Sequence, residues 1–316
     1  MKSLLKEKLD TLYATYDRKF LNSDPLSFVH QYTDPADKEV VGLVCAILAY
    51  GNVKMIRRNL ESLLALLGPR PAQFARRFDP IHGGRKFSGF SHRFTKGNDI
   101  ILLLYYMKQM LETSGSIGEF FRCAESDGVG IRQCLTNFVE RVVSLDCSPL
   151  YPQGMLPNDA GIHFLFPSPS NGSACKRLNL YLRWMVRCDD IDLGLWRFIS
   201  PAHLVIPLDT HVARICGLIG LTARKSPGWA MAEEITENLK MLDPHDPVKY
   251  DFAISRLGIL AQCPKVPVPF QCLRCELQRF CTSSSMNDFL AGAVANGKNT
   301  NTFPQSEKLL RKERSL

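Results

Sequence analysis

Four cysteines close together near the C-terminal end constrain this chain more than any other feature. Cys263, Cys272, Cys275 and Cys281 follow the pattern C-x8-C-x2-C-x5-C. A segment this short has too few apolar residues for a core of its own, so four thiols in it point to a loop closed around one metal centre. Structural zinc sites more often use two close cysteine pairs, or one pair with histidines. The nearest histidines, His211 and His245, lie well upstream. One tight pair with uneven outer spacings suits a cubane [4Fe–4S] cluster, which takes one cysteine sulfur per iron. Zinc and unligated core thiols are the alternatives.

The other seven cysteines (Cys45, Cys123, Cys134, Cys147, Cys175, Cys188 and Cys216) show no framework spacing, as expected of reduced thiols in a cytoplasmic protein. The first twenty residues are charged throughout and hold no signal-peptide core. The longest apolar run, 40–50, is too short to span a bilayer. A soluble, cytoplasmic, monomeric protein is therefore expected. Its net charge of +8 is unevenly placed: residues 51–100 hold ten Lys or Arg against three acids. Such a concentration suits a surface that meets a polyanion, although an ordinary solvated face has the same look.

Apolar spacing reads as helical almost throughout, and no stretch alternates at period two. Helices are predicted at 37–50, capped by Gly51, and at 55–67, stopping before Gly68-Pro69. Others are predicted near 98–113, 130–144, 174–187, 210–219, 229–241 and 247–262, with Pro/Gly-rich connections at 69–92 and 148–173. From 283 onward the chain reads as a tail with a short basic end.

Projected at 100° per residue, the 174–187 helix puts Leu178, Tyr181, Leu182 and Met185 on a core face. Lys176, Arg183 and Arg187 fall opposite, a face expected to border a cleft. The turn before it, PSPSNGS, frees backbone N–H groups, and a helix start is a natural seat for phosphate. Downstream, Asp209 in IPLDTHVAR opens an apolar helix. Its plain reading is an N-cap. A carboxylate held there is also rigidly aimed, and can stabilise a developing cation or carry a proton.

The run LDTHVAR, followed by helices and then C-x2-C-x5-C, resembles the helix-hairpin-helix DNA glycosylases related to endonuclease III. In that superfamily an aspartate opens the helix after the hairpin, in a V-D-T-H-[VI]-x-R context, and the cysteines hold a [4Fe–4S] cluster. Three departures mark this chain: one hairpin glycine instead of two in SPSNGSACKR, a longer first cysteine gap, and 33 residues from Lys176 to Asp209. That interval is similar to the archaeal 8-oxoguanine glycosylase branch, which lacks the cluster.

The resemblance implies an all-α, two-lobed fold. One lobe would be a six-helix region at 26–204, the other 1–25 together with 205–282. It implies a base-excision enzyme on double-stranded DNA, with Asp209 as catalytic carboxylate and the four cysteines as cluster ligands. Lys176 matches the position of the family's lyase nucleophile, a role that requires a neutral amine; the other reading is a phosphate contact. Asn52 or Tyr50 would fill the gap left by a flipped base. Lys54, Arg57, Arg58, Gly172, Arg177, Arg183 and Arg187 would contact DNA, and Trp184 and Trp196 would stack on the extruded base. A non-catalytic DNA-binding protein of the same fold is the alternative, and a zinc-stabilised RNA-binding protein a third reading.

Overall fold

A computed structural model describes residues 2–122 and 130–283. Cys123 and nearly all of the 283–316 tail lie outside them. The first helix, α1 (Lys2–Thr15), precedes a short turn, α2 (Leu26–Val29), α3 (Pro35–Ile47), α4 (Val53–Leu67) and α5 (Pro71–Arg76). A two-stranded hairpin, β1 (Ser91–His92) and β2 (Thr95–Lys96), leads into α6 (Gly97–Ser114), α7 (Ile117–Arg122) and α8 (Ile131–Val143). Then come α9 (Gly161–Leu165), α10 (Lys176–Val186), α11 (Thr210–Leu218), α12 (Trp229–Lys240), α13 (Asp251–Ile259) and α14 (Pro269–Leu273). The chain is thus mostly helical, as its periodicity predicts. The hairpin is a correction to that reading, since four paired residues are too few to show an alternation.

Helix α3 forms the centre. Asp34 caps it, its Oδ1 accepting from the N–H groups of Ala36 (2.8 Å) and Asp37 (3.4 Å), with Pro35 at the first position. From Val40 to Ile47 it is apolar and buried on every side, and it packs against α2, α5 and α10. It ends at Leu48, not Gly51, because Tyr50 turns aside to donate its hydroxyl to His92 O (2.7 Å).

One polar residue on α3 shows how the core is fixed. Glu39 is buried, accepting from Trp196 Nε1 (2.6 Å) and, at the start of α7, from Ile117 N (2.9 Å). Burial raises its pKa, against these donors. Gly118 sits against both partners: a Cβ there would come within 2.6 Å of Trp196 Nε1 and 2.9 Å of Glu39 Oε1.

Helices α11 and α13 pack face to face, and α13 also meets α1. Their closest approach is at Gly258, where a Cβ would fall 2.2 Å from His211 Nδ1. Helix α1 also grips the cysteine-bearing segment, through Lys8–Glu276 (2.9 Å) and through the Tyr16 hydroxyl, which donates to Gln262 Oε1. Thr282 N donates to Leu218 O (2.8 Å), tying the far end of that segment to α11. No helix among the described residues is long and apolar enough to cross a membrane.

Candidate active-site cleft and cysteine loop

Segments distant in sequence converge on one open cleft of about 1090 Å³. Its lining includes Ala49–Gly51 before α4, Phe164 on α9, Lys176 and Arg177 at the start of α10, Asp209 at the start of α11, and Asp251 on α13. The two residues singled out for chemistry, Lys176 and Asp209, thus share one cavity across 33 residues of sequence.

Asp209 adopts the extended backbone of an N-cap, and its Oδ1 accepts from His211 N and Val212 N, both at 2.8 Å. One carboxylate oxygen therefore anchors the group to its helix. Among the described residues Oδ2 has no hydrogen-bond partner, and Asp209 is half-buried, so that oxygen remains for an incoming group. Lys176 is half-buried too; its Nζ donates to Ala49 O at 3.1 Å, and no carboxylate among the described residues pairs with it.

The turn before α10 is held by local caps and by one bond to α12. Pro169–Asn171 make one 3-10 turn, capped by Gly172 in the left-handed region (φ 74°). Gly172 O accepts from Trp229 N (3.0 Å), which docks the turn on α12. Cys175 then takes a positive φ of 45°, unusual for a residue with a side chain; its thiol donates to Pro167 O (3.1 Å).

The cationic face expected on α10 needs correcting. Arg183 is only 2% exposed; its Nε pairs with Asp192 (3.2 Å) and its Nη1 with Asp251. Arg187 is likewise buried, pairing with Asp192, Asp189 (3.0 Å) and Asp246 (2.8 Å). These carboxylates come from 189–192, from Asp246 and from the start of α13, so no spacing within α10 disclosed them. Burial, joined by the nearby charge of Asp209, pushes Asp251 up to about 6, with Arg183 opposing. Its Oδ1 has no hydrogen-bond partner. Neither Arg183 nor Arg187 is a surface phosphate contact.

Trp184 and Trp196 are corrected in the same way. Both are buried away from the cleft, Trp196 against Phe121, Tyr181 and Phe198 and bonded to Glu39. The aromatic residues that do line the cavity are Tyr50 and Phe164, whose rings meet edge to face at 5.1 Å. Phe94, at the tip of the β-hairpin, extends this wall at 5.7 Å from Phe164.

Arg177 lies against the same wall, 4.3 Å from the Phe164 ring and 5.1 Å from the Tyr50 ring. It donates to Ile47 O (3.1 Å) and Phe164 O, and burial lowers its pKa to about 10. Asn52, Lys54 and Arg58 are exposed at the start of α4, with Asn52 capping that helix through Lys54 N (2.9 Å). Gly51 and Val53, on either side of Asn52, line the cleft. Arg57 is taken up by contacts to Asn22 O, Ser27 (3.2 Å) and the Phe28 ring. Of the ten basic residues between 51 and 100, nine are exposed and Arg57 is half-buried.

Beside the cleft lies the cysteine loop. Cys263, Cys272, Cys275 and Cys281 are all half-buried, and no group of three or more potential ligands among the described residues stands ready-formed at metal distances. The donor set nonetheless suits a thiolate-bound centre. Burial raises the pKa of Cys275, opposed by a hydrogen bond from the Leu277 amide, and all three other thiols add to the rise. Cys272 is raised by burial and by Cys281 and Cys263, with the Val268 amide opposing. Amide-to-sulfur bonds of this kind stabilise the thiolate that a metal requires. Arg214, which also lines the cleft, donates to Cys263 Sγ (3.3 Å) and joins the two regions.

A family model described as "Protein of unknown function (DUF2400)" matches residues 24–260, about three quarters of the chain, and the chain belongs to that family. The match stops before the cysteines. No curated protein and no solved structure matches.

Proposed function

We propose that this DUF2400 protein is a DNA base-excision glycosylase with a two-lobed helix-hairpin-helix fold, its cleft lying between the lobes. One observation carries the reading: Asp209 and Lys176 line one cavity whose wall includes the Tyr50 and Phe164 rings and, in Lys176 and Arg177, cations that meet no carboxylate among the described residues. Exposed basic residues from 51–100 would hold the duplex through its phosphates, and an extruded nucleotide would enter the cleft. As the C1′–N bond breaks, its electron pair leaves with the base and positive charge builds on the sugar. The free Oδ2 of Asp209 stabilises that charge, its partner oxygen being locked on the helix start. Lys176, once its amine is neutral, adds to C1′ and loses a proton; the C1′–O4′ bond then breaks, O4′ taking up a proton, to give a Schiff base that permits strand cleavage. Cys263, Cys272, Cys275 and Cys281 would hold a [4Fe–4S] cluster, or zinc, that braces the loop carried by α1 and α11.

A lesion panel tests the reading. The anaerobically purified protein is expected to release at least one altered base from duplex DNA, and Asp209→Asn to lower that rate by about 100-fold or more. Asparagine is an equally good cap, so this change should leave stability within about 0.5 kcal/mol. Borohydride should trap the protein covalently on DNA, and Lys176→Ala should abolish trapping. DNA binding without release of any base would leave the fold's alternative use, as a non-catalytic DNA-binding protein.

A further inference from the structure

We infer that Arg177, together with Tyr50 and Phe164, forms a recognition pocket for a flat heterocycle presenting a carbonyl edge. This deepens the glycosylase reading and rests on it, naming the class of base the cleft takes: one that carries an oxygen where its normal counterpart carries an exocyclic amine.

The chief observation is a contrast among the buried arginines. Arg183, Arg187 and Arg256 each meet at least one carboxylate. Arg177, only 8% exposed, meets none: among the described residues its hydrogen-bond acceptors are the carbonyls of Ile47 and Phe164. A cation left in a desolvated site without its counter-charge is costly, and acceptors brought by a ligand reduce that cost. A guanidinium has five N–H donors and no acceptor, so it can recognise only acceptors.

The shape of the site narrows the ligand further. Phe164 is 39% exposed and Phe94 at the rim 66%, so the wall offers aromatic surface to the cavity and to its mouth. The Tyr50 hydroxyl is committed to His92 O and Thr95 Oγ1, both at 2.7 Å, which holds that ring in place. A rigid aromatic wall with a donor-only group set in it favours stacking of a planar ring and hydrogen bonding along one edge. A donor-only edge accepts carbonyl oxygens and repels amino groups. At the edge that bears the exocyclic group, uracil-like and hypoxanthine-like bases offer this oxygen; cytosine and adenine carry an amino group there.

The test measures binding, independent of turnover. Duplexes carry one central 2′-fluoro nucleotide, which resists bond cleavage, bearing hypoxanthine, adenine, uracil or cytosine in a mispair; a fifth duplex carries a tetrahydrofuran site without a base. The wild-type protein should bind hypoxanthine over adenine, and uracil over cytosine, by at least about tenfold. Arg177→Met should bring both ratios near one while keeping affinity for the tetrahydrofuran duplex. Phe164→Ala, a change at a partly exposed residue, should weaken every base-bearing duplex by about tenfold and spare the base-free one. Equal wild-type binding of each pair, or discrimination that survives Arg177→Met, overturns the pocket while leaving the glycosylase reading in place. Failure to bind even the tetrahydrofuran duplex removes the glycosylase reading, and the pocket with it.

Discussion

Helix α10 carries two groups of cations whose surroundings differ sharply. Toward its C-terminal end, Arg183 and Arg187 are enclosed by Asp192, Asp251, Asp189 and Asp246, charge answered by charge. At its N-terminal end, Lys176 and Arg177 hydrogen-bond only to backbone carbonyls among the described residues, Arg177 also lying against the Tyr50 and Phe164 rings. The first group joins α10 to α13 and to the segment around residue 190. The second group lines the cleft with its charge unanswered, the arrangement expected where a negative or acceptor-rich partner arrives from outside. One helix thus serves cohesion at one end and reception at the other.

The largest effect that could break this comparison is on stability. Arg183→Met leaves Asp192 and Asp251 facing a lost partner, and should destabilise the fold by about 3–5 kcal/mol in urea titrations. A change under 1 kcal/mol would show that the buried network is not structural. Next in size is a dependence on pH. The folded-state pKa of Asp251 lies near 6, above its unfolded value, so the associated stability is full below about pH 4 and is lost as pH rises through 6. The stability difference between wild type and Asp251→Asn should therefore shift by about 2 kcal/mol between pH 4 and 7, in favour of the variant at the higher pH. Smallest is Arg177→Met, which removes two hydrogen bonds to backbone carbonyls but no ion pair, and should lower stability by about 1–2 kcal/mol in the same titrations. A loss as large as that of Arg183→Met would place both ends of α10 in the structural class.

The helical class was legible in the sequence because apolar spacing reports burial directly. Predicted bounds for α6, α8, α11 and α12 fall within a residue or two of those observed. Asp209 was legible as well, since a cap and a cleft-facing carboxylate require the same residue at the same place. The roles of Arg183 and Arg187 were not: a basic residue looks the same in sequence whether its partner is water or an aspartate 68 residues away, as for Arg183 and Asp251. The tryptophans misled for a related reason, because Trp196 finds its indole acceptor on Glu39, in a different helix. Phe164 was missed because a five-residue helix is too short to show a periodicity, and only the fold sets it beside Tyr50.

The contact between Gly258 and His211 has a bearing on the carboxylate two residues before that histidine. With hydrogen as the whole side chain at 258, α13 serves as a fixed backstop, and the imidazole seats against bare backbone. Even a methyl group there would act as a shim, forcing the imidazole and the start of α11 to give way. The seat of the helix that Asp209 opens is thus set from behind by a residue that offers backbone alone.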